Sequence, residues 1–212
     1  MEKVKIALTK GRLAEESIKV FEAIGLKFSA YKEDSRKLIL PSDCGRYEII
    51  LVKALDVATY VENGAADIGI AGKDTLLEAN ANVFELVDLG FGKCHFAVAG
   101  QGGFDLNRAI KLSVATKYPR VATQFFQEKG KQIETIKLNG SVELAPLVGL
   151  SDVIVDIVET GRTLKENGLE VIESMYSISA RLVVNKAGYK TKSETLQPFV
   201  GQVKEAVSVT KG

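Results

Sequence analysis

Cysteine and histidine are scarce in this 212-residue chain: it has two of the first and one of the second. Cys44 and Cys94 lie far apart with no C-x-x-C pair, which argues against a zinc knuckle or a disulfide framework and suits two small thiols in a reducing compartment. His95, the only histidine, sits within the apolar run of residues 94–99, where a structural or rim role on a strand fits better than catalysis. Neither sign of charge is in excess. With 28 basic and 27 acidic residues the net charge is +1, so nothing global draws the protein to nucleic acid or anionic lipid, and any anion site must be local. Four prolines and 19 glycines are too few for a disordered chain. No apolar run approaches the ~20 residues of a membrane span, and Met1-Glu2-Lys3-Val4-Lys5 opens no apolar leader, so a cytoplasmic protein is expected.

What is present reads as a folded α/β protein. The apolar fraction is 46% and the charged fraction 26%, ordinary for a globular chain, and the length allows one large domain or two small ones. Residues 4–9 read as a buried strand and 14–24 as a helix with Ile18, Phe21 and Ile24 on one face before Gly25. Strands at 37–41 and 47–52, a helix over about 54–62 closed by Asn63-Gly64, a strand at 67–71 and a helix from about Asp74 follow. This alternation predicts a largely parallel sheet. The pattern restarts after Gly92, with strands at 94–99, 112–115, 133–138 and 153–158 and helices at 119–128 and about 142–147. Residues 175–184 read as one long strand, and 193–207 as a closing helix with Leu196, Phe199, Val203 and Val207 in register. Two lobes are therefore expected, the first from residues 1–91 plus 180–212 and the second from 92–179, with a cleft between them as the default ligand site.

The segment Val153-Ile-Val-Asp-Ile-Val-Glu-Thr-Gly-Arg-Thr-Leu164 runs a buried strand through a polar turn into a helix near Arg162. Backbone N–H groups at a helix start, the hydroxyls of Thr160 and Thr163, and a Gly161 that permits close approach make a cradle for phosphate. Asp156 and Glu159 beside it suit ribose hydroxyls or a metal-bound pyrophosphate. The same Thr-Gly-x-Thr also suits a threonine-capped turn with no ligand, and the carboxylates tilt the reading toward function. Lys10, Gly11 and Arg12 lie between the first strand and the first helix, where open α/β sheets bind ligands. There Arg12 suits bidentate phosphate contact and Lys10 a point charge, although a solvated turn fits as well. Ser35-Arg36-Lys37 adds two cations. Gly72, Lys73 and Asp74 offer either backbone donors or a first-turn acid that complements a helix dipole.

Taken in order, Ala7-Leu-Thr-Lys-Gly-Arg12, Ser35-Arg-Lys37, Ala66-Asp-Ile-Gly-Ile-Ala-Gly-Lys-Asp74, Leu138-Asn-Gly-Ser-Val-Glu-Leu-Ala-Pro146 and the run from Glu143 to Leu164 resemble the ATP phosphoribosyltransferase family over nearly the whole chain. The resemblance implies a fold like type II periplasmic binding proteins, the substrates ATP and phosphoribosyl pyrophosphate, and Mg²⁺. It implies catalytic roles for Arg12, Arg36 and Lys10 toward pyrophosphate, and phosphoribosyl pyrophosphate binding by Asp156, Glu159, Thr160, Gly161, Arg162 and Thr163. It also implies ATP binding by Lys10, Gly72, Lys73, Asp74, Gly140, Ser141 and Glu143, and it assigns no metal ligand to the protein. Because the sequence stops at Gly212, the short form is expected, without a histidine-binding domain of its own and working as a homodimer within a hetero-oligomer that includes a regulatory subunit resembling histidyl-tRNA synthetase. A cytoplasmic two-lobe solute binder or sensor is the rival reading, since fold does not fix function.

Overall fold

The structure is a computed structural model and describes residues 3–32, 36–107 and 111–210; Ser35 and Gly212 of the readings above lie outside them. The chain divides into two compact units, Met1–Gly92 with Ser179–Gly212, and Lys93–Ile178.

The first unit is built on β1 (Val4–Thr9), α1 (Arg12–Ala23), β2 (Ile39–Pro41), β3 (Tyr47–Val52), a 3-10 turn at Ala54–Asp56, α2 (Val57–Glu62), β4 (Ile68–Gly72), α3 (Lys73–Ala79) and β5 (Phe84–Asp88). The second contains β6 (Cys94–Gln101), β7 (Leu112–Thr116), α4 (Pro119–Glu128), β8 (Ile133–Lys137), α5 (Leu144–Leu147), β9 (Val153–Val158), α6 (Arg162–Glu166) and β10 (Leu169–Ile178). The chain then returns to the first unit with β11 (Ala180–Val184), α7 (Lys186–Thr191) and α8 (Ser193–Thr210).

Both sheets are mixed, which corrects the expectation of a largely parallel one. In the order β2-β3-β1-β4-β11-β5, only β1 with β3 and β1 with β4 run parallel. In the order β10-β6-β9-β7-β8, only β7 with β8 and β7 with β9 do. The antiparallel members are β2 and the strands flanking the two crossings between units, whose direction an apolar pattern does not record. Residues 175–184 are not one strand. The run breaks at buried Ser179, so that β10 pairs with β6 and β11 pairs with β4 and β5.

Alternation along β1 sends Ile6 and Leu8 to one face of the first sheet and Ala7 to the other. The first face meets Phe21 of α1 and the stripe Leu196, Phe199, Val203 and Val207 of α8, with the Phe21 and Phe199 rings 5.9 Å apart. Phe21 is fully buried, and Phe21→Ala is expected to cost about 3–5 kcal/mol. The second face takes Val57 and Val61 of α2 so closely that a Cβ on Gly69 would stand 2.6 Å from Val61 Cγ2. In the second sheet Ala97, Ala99, Ala115, Ile154 and Val158 share one face, while Phe96 packs edge-on against Tyr118 with ring centroids 5.0 Å apart.

Candidate active site

The second unit holds a cavity of about 310 Å³ where β9 ends. Its floor is small and apolar because register places Ala97 and Ala99 of β6 opposite Asp156 and Ile154. Around the rim stand Glu143, Asp156, Glu159, Thr160 and Thr163. Asp156 turns back at the strand end and accepts the Ile157 N–H at 2.8 Å, which orients its carboxylate. The chain then turns through Gly161, whose φ of 71° lies in the left-handed region that other residues enter at a cost. Gly161 O accepts the Lys165 N–H at 3.1 Å, and Thr160 Oγ1 is 3.4 Å from the Arg162 nitrogen. The amides that open α6 have no carbonyl of their own helix to meet, so they are donors for an external oxygen. The Arg162 guanidinium instead pairs along the helix with Glu166 at 2.7 Å, in a position 82% exposed, where such a pair contributes little.

Gly140, Ser141 and Glu143 follow β8, which is hydrogen-bonded to β7 and so lies two strands from β9 on the same carboxyl edge. Ser141 adopts φ 47°, a conformation uncommon outside glycine. Glu143 reaches the cavity, whereas Gly140 and Ser141 are not among its lining residues. At the opposite end of β9, Asp152 accepts both the hydroxyl and the N–H of Ser113, at 2.6 and 2.7 Å. These bonds hold its carboxyl below the ordinary value.

In the first unit the remaining candidates gather on one edge of the other sheet. Lys10 and Arg12 follow β1, Gly72, Lys73 and Asp74 end and follow the adjacent β4, and Arg36 precedes β2, whose start pairs with the end of β3. Lys10, Arg12 and Arg36 are exposed. Gly11, at φ 87°, makes the turn that starts α1. Lys73 is already engaged: its ammonium meets Glu85 at 2.5 Å and its N–H donates to Ser179 O at 3.0 Å. Glu85 also lies 3.5 Å from Arg181, which pairs with Asp88 at 2.7 Å. Asp74 folds over the backbone so that its Oδ1 lies 2.1 Å from where a Cβ on Gly72 would stand, which explains a glycine at an ordinary extended φ of −64°.

Sequence reasoning missed the floor of the cavity, namely Ala97, Ala99 and Cys94. The alternating small residues of 97 and 99 are the available signal. His95 lies on β6 opposite Val158, half-buried and outside the cavity lining.

Two α/β units, one carrying a phosphate-sized turn beside carboxylates, define a class of protein whose fold is shared with binding proteins. The Escherichia coli periplasmic aliphatic sulphonate binding protein SsuA matches with a TM-score of 0.61 at 13% identity, over 100% of this chain and 74% of its own, and the fold is accordingly of the type II periplasmic-binding kind. Sequence narrows the class. The family model described as HisG: ATP phosphoribosyltransferase matches residues 53–205. The ATP phosphoribosyltransferase of Clostridioides difficile is 56% identical over 94% of this chain and 96% of its own, and that of Alkaliphilus metalliredigens 53% identical over 97% and 98%. A chain of the ATP phosphoribosyl transferase (HisG:HisZ) complex from Thermotoga maritima superposes with a TM-score of 0.83 at 36% identity, covering 97% of this chain and 98% of that one. The chain belongs to the ATP phosphoribosyltransferase family.

Proposed function

We propose that this chain is the catalytic subunit of a short-form ATP phosphoribosyltransferase, transferring the phosphoribosyl group of phosphoribosyl pyrophosphate to N1 of ATP at the first step of histidine biosynthesis. The observation that carries the assignment of roles is the cavity after β9, which sets the 159–163 turn beside Asp156. In the reaction the bond from ribose C1 to the pyrophosphate oxygen breaks and a bond from C1 to adenine N1 forms. Positive charge develops on the sugar and negative charge on the leaving group. Adenine N1 carries a free lone pair at neutral pH, so the nucleophile needs no strong base and the half-buried His95 need not serve as one.

Stabilisation of the two charges is then the chemical task. The amides and hydroxyls of Thr160, Gly161, Arg162 and Thr163 receive the 5′-phosphate, Asp156 and Glu159 accept hydrogen bonds from the ribose hydroxyls, and Lys10, Arg12 and Arg36 neutralise pyrophosphate. Gly72, Asp74, Gly140, Ser141 and Glu143 are assigned to ATP. Lys73, tied to Glu85, supports that edge.

Among the described residues no three His, Cys, Asp or Glu side chains converge on one point. Asp156 and Glu159, two carboxylates on the cavity, suit Mg²⁺ carried mainly on substrate phosphates and would be the residues to meet it. When bound, Mg²⁺ offsets negative charge on the pyrophosphate. Among the described residues no helix is long and apolar enough to cross a membrane; a cytoplasmic setting is proposed because a biosynthetic enzyme of this family uses ATP.

The Thermotoga maritima relative forms a HisG:HisZ complex, and a regulatory partner of that kind, resembling histidyl-tRNA synthetase, is proposed here, around a homodimer of this chain. Histidine then inhibits only when the partner is present, by favouring one of two conformations of the assembly. Pyrophosphate release measured with a panel of bases and nucleotides tests the activity: release with ATP alone is expected, and preference for a free base, or no release at all, would overturn it. Inhibition by histidine in rate assays of the chain without a partner would overturn the regulatory part.

A further inference from the structure

The acidity of the cavity is the starting point. Glu143, Asp156 and Glu159 all border it, while the charge of Arg162 is drawn onto Glu166. A phosphate placed among three carboxylates meets repulsion that Mg²⁺ at Asp156 and Glu159 relieves only on their side, so a protein cation close by adds to it.

Such a cation follows β7. The pairing of β7 with β9 sets Ala115 opposite Ile154 and Thr116 opposite Val155, so the next residues along, Lys117 and Asp156, come abreast. Ala115 and Ile154 share one face of the sheet, Ile154 and Asp156 line the cavity, and Lys117, not itself among the lining residues, leaves the end of β7 level with Asp156. The backbone at Lys117 is held on both sides. Thr116 Oγ1 donates to Val155 O at 2.6 Å and accepts the Tyr118 N–H at 2.9 Å, and both of these flanking residues are buried.

Lys117 also differs from the other half-buried lysines. Lys73 and Lys192 pair with Glu85 and Asp67, and Lys131 and Lys186 donate to Leu106 O and Asn82 Oδ1. Lys117, equally half-buried, has only the Tyr118 ring, 5.9 Å from its ammonium, and among the described residues no carboxylate pairs with it. A partly desolvated ammonium at the end of a locked strand, one strand from three carboxylates, is arranged for an anion that arrives from outside.

We infer that Lys117 is a phosphate-binding residue of the β9 cavity, neutralising the 5′-phosphate of the phosphoribosyl substrate. The inference rests on the proposed reading of that cavity. It extends the binding set to a residue outside the Thr-Gly-x-Thr turn, and the lysine leaves the tyrosine ring to reach the phosphoryl oxygen when substrate binds.

Calorimetric titration of the full-length chain with phosphoribosyl pyrophosphate, with ribose 5-phosphate and with ATP provides the test, for the wild type, Lys117→Gln and Lys117→Arg. Loss of one charge-assisted contact predicts about 10- to 100-fold weaker binding of both ribose phosphates by Lys117→Gln, with ATP affinity unchanged. Lys117→Arg should recover most of the loss. In rate assays KM for phosphoribosyl pyrophosphate should rise more than kcat falls. Unchanged ribose-phosphate affinity in Lys117→Gln, equal weakening toward ATP, or a fall in thermal stability without a change in affinity would each overturn the inference while leaving the cavity reading intact. Failure of the wild type to bind either ribose phosphate would instead overturn the cavity reading, and this inference with it.

Discussion

At the carboxyl edge of the first sheet the exposed candidates are Lys10, Arg12 and Arg36, all cations; at the carboxyl edge of the second, three acids, Glu143, Asp156 and Glu159, border an apolar floor, and the one cation of the turn, Arg162, is paired with Glu166. Loops after parallel strands converge on one edge and place most of both groups, while Arg36 reaches the first edge by preceding the antiparallel β2. What differs is the chemistry. A cationic edge suits a multiply charged leaving group. A walled cavity with a tight turn suits the smaller task of gripping one phosphate and a sugar. The two edges should accordingly fail in different kinetic parameters.

The largest effect is expected from the cationic edge. Arg12→Ala and Arg36→Ala should each lower turnover roughly 10²–10³-fold, the scale of losing one preorganised donor to developing charge. Their melting temperatures should hardly move, because both residues are exposed. Near-normal turnover of both would erase the division of roles. The acidic edge should fail in binding. In Gly161→Val the nearest atom to the new Cβ, Val158 Cγ1, is 3.8 Å away, so the side chain has room, but the φ of 71° costs the variant about 1–2 kcal/mol. It should fold, with a raised KM for phosphoribosyl pyrophosphate and an unchanged KM for ATP. Equal shifts for the two substrates would blur the comparison.

A smaller effect sharpens the role of Asp74. Gly72→Ala puts a methyl group where Asp74 Oδ1 now lies, so the carboxylate must leave its place. A severalfold rise in KM for ATP without a change for phosphoribosyl pyrophosphate is expected from steady-state assays. The smallest effect lies at the far end of β9. Hydrogen bonds from Ser113 lower the pKa of Asp152 in the folded chain, so its contribution to stability is present above the unfolded value of about 3.9 and is lost as pH falls through the lower folded value. Asp152→Asn should therefore lower the unfolding free energy measured by urea titration at neutral pH, by less than about 1 kcal/mol because the group is largely exposed. The difference from wild type should shrink as pH falls below about 4, and activity should be unaffected. A difference that grows on acidification would contradict this assignment.

Much of this architecture is legible from periodicity. The α8 stripe of Leu196, Phe199, Val203 and Val207, the strands β1, β3 and β9, and α4 all follow apolar spacing, because one buried face imposes it. What periodicity leaves open is pairing. Ser179 divides what reads as one strand because apolar residues on both sides look alike whichever sheet they join. β5 escapes notice because Glu85 and Asp88 interrupt its apolar residues, and both serve the ion-pair network with Lys73 and Arg181. At the site, the Thr160-Gly161-Arg162-Thr163 turn is visible as a motif, since its amides and glycine are local. Lys73 shows what local sequence cannot supply: Glu85, distant in sequence, meets its ammonium.

The strand order of the first sheet also bears on how the chain is made. β11 lies between β4 and β5, yet it emerges from the ribosome after the whole second unit. Until then, β4 and β5 each present an unpaired edge, and the face that awaits α8 is bare. The second unit, by contrast, is continuous and can complete its sheet first. Exposed edges and apolar faces during synthesis invite association with other chains. The nascent first unit is therefore where a holding chaperone is expected to act, and release should follow once residues 180–184 have zipped the sheet shut.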